Sequence, residues 1–177
     1  MRYLLVVVML FCGVTLGKAF AADELEPGLK AEYFDMGDAV EDFPADAAIK
    51  DKKPTVTRVE KQVNVEGTTD KWPGTELTSH FYARWTGVIK IAKDGKYKFI
   101  TSSDDGSRLF IDGKQVVDNG GLHAMEEKDG DVELKTGNHD IKIEFFENDG
   151  DHGCVVSWEP AGGAKQVIPA DVLFHKK

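Results

Sequence analysis

The chain has 177 residues, 41% of them hydrophobic and 30% charged, which is enough for one globular domain with a real core and too little for a second of ordinary size. Its formal charge of −9 argues against a phosphate backbone or an anionic membrane surface as partner, and it suits cations or neutral ligands such as sugars.

Residues 1 to 21 read as a signal peptide: Arg2 supplies the positive start, Tyr3 to Leu16 is an almost unbroken apolar run, and Ala19-Phe20-Ala21 fits a small-x-small cleavage pattern. An uncleaved anchor is the competing reading, because Lys18 sits beside the cleavage point. The run is short for a bilayer span, which needs about 20 residues, and no later segment is longer. The expectation is therefore export to the periplasm, cell surface or medium, with no membrane span after cleavage. Cleavage removes Arg2 and Lys18 and no acid, taking the charge from −9 to −11. Cys154 is then the sole cysteine, so an internal disulfide is excluded and a buried, inert thiol is expected.

Residues 22 to 27 read as a short solvated lead-in to a domain over 28 to 175. From Gly28 onward alternation dominates. Leu29, Ala31 and Tyr33 share one face, and the period of two returns through Val59, Val63 and Val65 with one irregular step. Between them, residues 35 to 54 show no sustained period and predict a loop with at most one helical turn. A second irregular stretch, 67 to 80, carries Trp72.

Residues 81 to 159 read as successive hairpins. Strands over 81–92 and 96–103 meet at Lys93-Asp94-Gly95, those over 107–111 and 114–118 meet at Asp112-Gly113, and a later pair turns at Thr136-Gly137-Asn138. Asp-Gly favours two-residue hairpin turns because both residues tolerate positive φ. No amphipathic helix of three turns is visible. Many short strands at this spacing predict an all-β fold, an antiparallel β-sandwich or barrel.

Five Asp-Gly pairs occur, at 94, 105, 112, 129 and 149, and a turn is the ordinary reading of each. Asp104-Asp105-Gly106 differs because a second carboxylate precedes the turn residue. Successive strand side chains point to opposite faces, so both carboxylates reach one ion only where the backbone leaves extended geometry, by a tight turn or a cis peptide. Downstream, Glu147 to Gly153 is rich in oxygen donors: Asn148, Asp149 and Asp151, with Gly150 and Gly153 freeing carbonyls, make a candidate hard-cation loop. It is not an EF-hand, since the glutamate expected 11 residues after Asp149 falls on Pro160.

The segments 81–119 and 130–160, and the span from Gly28-Leu29-Lys30-Ala31-Glu32-Tyr33-Phe34 to Ile168-Pro169, resemble the protective-antigen (PA-14) domain family. That resemblance implies a β-sandwich of antiparallel strands, in a jelly-roll-type barrel. In the family's sugar-binding adhesins, adjacent aspartates joined by a cis peptide hold a calcium ion that ligates sugar hydroxyls, which implies that role for Asp104 and Asp105. A second calcium loop there supplies an asparagine side chain and two carbonyls, implied here at Asn148, Gly150 and His152, with Asp149 and Asp151 replacing or supplementing them. Calcium takes 6 to 8 oxygens, so vicinal hydroxyls can fill what the protein leaves open.

Other candidates are weaker. His123, Glu126 and Glu127 lack a second histidine for zinc. His139 and His152 read as surface residues. Trp85 and Trp158 lie in strands and read as core, whereas Trp72, in a loop, is the candidate for stacking on a sugar. Arg108, four residues after Asp104, has two open readings: orienting one of the paired aspartates through a salt bridge, or strand pairing without that role.

These residues point to an exported calcium-dependent carbohydrate-binding module for glycans or polysaccharide. The alternative is a structural or protein-interaction domain of the cell envelope in which calcium only stabilises loops. A hydrolase built on Glu126, Glu127, Asp129 or Asp131 is the third reading. The domain uses up the chain and shows no nucleophile motif, so no enzyme is expected.

Overall fold

The computed structural model describes residues 24–177; the expected signal peptide, residues 1 to 21, lies outside the described residues. The elements run in chain order as β1 (Leu25–Pro27), β2 (Leu29–Asp35), α1 (Asp46–Lys50), β3 (Val56–Glu60), β4 (Asn64–Thr68), β5 (Phe81–Ile91) and β6 (Gly95–Asp104). There follow β7 (Ser107–Ile111), β8 (Lys114–Asn119), β9 (Glu126–Leu134), β10 (Gly137–Glu147), β11 (His152–Glu159), β12 (Gln166–Val167) and β13 (Leu173–Lys176). The single helical turn in the 35–54 segment and the hairpin strands agree with the alternation in the sequence.

All pairing is antiparallel and falls into two sheets, the sandwich expected from the strand spacing. The first is ordered β1-β13-β5-β10-β7-β8, with β2 sharing an edge of β5 and β3 beside β2. The second is β12-β11-β6-β9, with β4 on the β11 edge. The Val59-to-Val65 run is therefore not one strand. Val59 pairs with Lys30 in the first sheet, while Val65 pairs with Cys154 in the second. The irregular step in the sequence is where the chain crosses between sheets. The expected solvated lead-in is also ordered at its end, since β1 pairs with β13.

Alternation puts Phe81, Ala83, Trp85, Ile89 and Ile91 of β5 and Ile141, Ile143 and Phe145 of β10 inside, against Tyr97, Phe99, Cys154, Val156 and Trp158 of the other sheet. Burying each such large side chain contributes roughly 1.5–3 kcal/mol. Cys154 is fully buried, and burial, with the nearby Glu60 charge, pushes its thiol well up, consistent with an inert residue.

At Asp112-Gly113 both residues have positive φ, 50° and 77°, as the turn chemistry predicts. Asp129-Gly130 is not a turn but lies inside β9, where a Cβ at Gly130 would run into the Val116 carbonyl oxygen. Close approach of β8, rather than turning, selects that glycine.

A second apolar cluster covers part of the first sheet's outer face. Val40 and Ile49, with Met36 and Phe43 packed against them, close over Phe34, Tyr82 and Phe146. This cover buries Glu144, which accepts hydrogen bonds from Tyr82 Oη (2.6 Å), Arg108 Nε (2.5 Å) and Lys142 Nζ (3.1 Å). Burial alone would raise the Glu144 pKa; the Tyr82 hydrogen bond and the Arg108 cation outweigh it and hold it below the usual value. Arg108, expected beside the paired aspartates, is thus committed to Glu144, and its guanidinium lies 4.2 Å from the Phe43 ring centroid. Arg108→Leu is expected to cost about 1–2 kcal/mol, less than a fully broken buried pair because Tyr82 and Lys142 remain. Because a depressed carboxylate pKa adds stability that is lost as pH falls, thermal melts of this variant should also decline less steeply below pH 5 than wild type.

Candidate metal centre

The interior turns polar at one end of the sandwich. Ser103 and Ser107 share a hydrogen bond of 2.6 Å, and Asn119 Nδ2 donates to Ser103 Oγ and to the Glu126 carbonyl, both at 3.0 Å. Above this polar floor, β6 ends at Asp104 and the chain turns through Asp105 into β7, with a cis peptide between the two aspartates. Phe146 N–H donates to the Gly106 carbonyl (2.9 Å) and ties this turn to the end of β10.

The inward face of β10 runs Ile141, Ile143, Phe145 and then Glu147, so the last inward side chain is a carboxylate. Asp104, Asp105 and Glu147 each bring an oxygen within 4.8 Å of the others. Asp105 is well held: its Oδ1 accepts from His123 N–H (3.1 Å), its Oδ2 from Asn148 N–H (2.9 Å), and its own N–H donates to Glu147 Oε2 (3.3 Å). Glu147 is fully buried, yet its Oε1 has no hydrogen-bond partner. A buried acceptor left open costs free energy, and three converging carboxylates repel. Both features fit a hard cation with oxygen ligands.

Burial raises the Glu147 pKa to about 8, and the charges of Asp105, Asp104 and Asp149 add to the rise. Burial likewise raises Asp104, with Asp105 and Asp151 adding. The folded protein therefore keeps a Glu147 proton that the unfolded chain, near 4.5, has released. Ion-free stability should fall as pH rises from about 4.5 to 8, by at most about 1.4 kcal/mol per unit. Melts in chelator at pH 5 and pH 8 check this, and Glu147→Gln should flatten the difference.

In the second loop, the side chains of Asn148 and Asp149 take other partners. Asn148 meets Asp105 through its backbone N–H, but its side-chain Oδ1 accepts from Val40 N–H (3.1 Å) and so is engaged away from the carboxylates. Its carbonyl accepts from His80 N–H (3.0 Å). Asp149 is exposed, with Oδ1 on Gly150 N–H (3.0 Å); Asp151 is exposed and acts on Asp104 by charge. Gly150 is exposed at φ 105°, the left-handed backbone that bends the loop.

His152, whose carbonyl was the expected ligand, opens β11 with its side chain fully buried, not on the surface. Its ring lies 5.8 Å from that of Trp72 and 6.0 Å from that of Phe81, and burial lowers its pKa. His139 is partly buried, bonded to Asp112 Oδ2 (2.6 Å). Trp72 corrects the sugar-stacking expectation. It is fully buried, donates from Nε1 to Tyr33 Oη (3.1 Å), and packs 5.1 Å from Phe145, so no face is open to a ligand. Trp85 and Trp158 are core, as their strands predict.

His123 offers no zinc site: its ring nitrogens meet the Ala124 and Asn119 carbonyls. Glu126, Glu127, Asp129 and Asp131 stand along β9 in surface ion pairs with Lys128, Lys165, Lys98 and Lys96. An open groove of about 750 Å³ lies at the far end of β10, lined by residues including Thr86, Phe110, Ile141 and Lys142, away from the carboxylates.

Residues 25–172 match the PA14 domain model, and the chain belongs to that family. It is 31% identical over 150 residues to the anti-sigma-I factor RsgI3 of Acetivibrio thermocellus, a match covering 83% of this chain and 21% of that protein. The chain thus spans about a fifth of that relative's length. An anti-sigma factor domain-containing protein from Clostridium clariflavum superposes with a TM-score of 0.70 at 28% identity, over 86% of this chain and 48% of that one. A PA14 sugar-binding domain from an RTX adhesin gives a TM-score of 0.74 at 19% identity, covering 84% and 98%.

Proposed function

We propose that this domain is an exported, non-enzymatic carbohydrate-binding module in which Asp104, Asp105 and Glu147 hold a calcium ion that ligates sugar hydroxyls. The observation that carries the reading is the meeting of three carboxylates at the sandwich end, one of them buried with an open oxygen. The exposed Asp149 and Asp151, on either side of Gly150, act by charge on Glu147 and Asp104 and add negative potential. The sugar-binding title of the adhesin domain supports the ligand class, and the likeness to an anti-sigma-I factor favours sensing as the use of such binding. No helix among the described residues is long and apolar enough to cross a membrane.

Calorimetric titration of calcium into metal-stripped protein is the test, followed by a glycan screen in calcium and in chelator. Binding at or below about 10⁻⁵ M, with glycan capture only in calcium, is the expected result. Calcium binding with a thermal shift but no glycan capture would leave the second reading, an envelope interaction domain whose loops the ion rigidifies. Neither heat nor thermal shift would sink the cation site.

A further inference from the structure

The open groove on the first sheet takes no part in the cation site. Its floor is a row of cross-strand partners: Lys30 of β2 pairs with Thr86 of β5, Thr86 with Lys142 of β10, and Lys142 with Phe110 of β7. Register partners share a face, so the four side chains stand together, opposite the core-facing Ile141 and Ile143. At about 4.8 Å per strand the row spans roughly 14 Å, longer than one sugar ring. The recess forms where β5 changes neighbour. β2 pairs with it as far as Thr86 and β13 takes over at Val88, and between them a Cβ on Gly87 would stand 2.2 Å from the Phe174 carbonyl oxygen. Lys176 of β13, Asp46 of α1 and the outward Asp140 of β10 also line the groove.

We infer that this groove binds a neutral, hydroxyl-rich polysaccharide chain without a metal ion. The inference goes beyond the calcium reading above and shares with it only the sugar class. The ligand class follows from the mixed charge of the lining. Lys30 and Lys142 are held and neutralised by Glu32 (2.7 Å) and Glu144 (3.1 Å), and the Lys142 ammonium lies 4.1 Å from the Phe110 ring centroid. Asp46 and Asp140 are exposed in the same groove, so a polyanion meets carboxylates there and a polycation meets lysines. A hydroxyl accepts from an ammonium and donates to a carboxylate, so it matches both signs. Each ammonium carries three donors and retains some beyond its glutamate, while Thr86 can both donate and accept. The half-buried Phe110 offers apolar surface to ring C–H groups. The volume, about 750 Å³, falls within the roughly 300–1,000 Å³ of small-molecule sites.

The experiment titrates linear β-linked hexasaccharides of glucose, xylose and mannose into the protein in chelator, followed by NMR, with a galacturonic acid hexamer as the charged comparison. At least one neutral hexamer should bind saturably, and more tightly than the galacturonate. Thr86→Val and Asp140→Ala should each weaken that binding about fivefold, the worth of one hydrogen bond, while calcium affinity and melting temperature stay unchanged. No neutral binding in chelator, binding untouched by both substitutions, or galacturonate bound as tightly would overturn the inference. Capture seen only in calcium, and lost in the Asp104→Asn, Asp105→Asn double variant, would keep the sugar reading at the ion and remove the groove. Capture in chelator by protein that gives no calcium heat would do the reverse.

Discussion

Asp104→Asn combined with Asp105→Asn is expected to abolish calcium binding, with affinity falling at least about a hundredfold, because two of the three charges that attract the ion are gone. Wild-type protein should melt higher with calcium than in chelator, and this shift should vanish in the variant. The ion-free forms should differ less. The substitution relieves repulsion of Glu147, but Asp105 accepts from both His123 and Asn148 N–H, and an asparagine offers one oxygen where the carboxylate offers two. Calorimetry and paired melts separate the two effects. Unchanged calcium affinity in the double variant would move the site elsewhere.

Trp72→Ala should cost about 3–5 kcal/mol, the usual range for a large core aromatic, and lower the melting temperature by roughly 10 °C. The ring fills the space between the sheets, against Tyr33, Phe81, Trp85, Phe145 and His152, and its N–H satisfies the Tyr33 hydroxyl. Tyr33 in turn donates to Glu60 Oε1 (2.6 Å), whose Oε2 accepts from Trp85 Nε1 (2.6 Å). Losing Trp72 thus opens a cavity and loosens a buried polar chain. Trp72→Phe should cost less, keeping most of the packing while dropping the N–H. A surface platform would behave oppositely, with stability intact and only ligand binding lost. Chemical denaturation of the three proteins decides.

The strands of β5, β6, β10 and β11 were legible because each carries apolar residues at every second position, and the turns because Asp112-Gly113 and its like demand positive φ. Asp104 and Asp105 were legible because adjacent carboxylates at a strand end are chemically odd. Glu147 was harder to see. Its inward parity follows from Ile141, Ile143 and Phe145, but Phe146, apolar on the opposite face, blurs the alternation. That residue is apolar because the 36–49 segment covers it, a contact between residues about a hundred positions apart.

Local pattern therefore determined the fold class, the hairpin order and the aspartate pair, since period-two alternation and turn preference act between near neighbours. Only tertiary packing decided that the loop tryptophan, Trp72, is core, that the His152 ring packs inside, that Asn148 turns its side chain to Val40, and that Glu147 completes the acidic centre. The physical reason is common to all four. A side chain at a strand end or in a loop has no periodic neighbours to fix its environment, so burial and partners are set by whatever distant segment the two sheets bring over it.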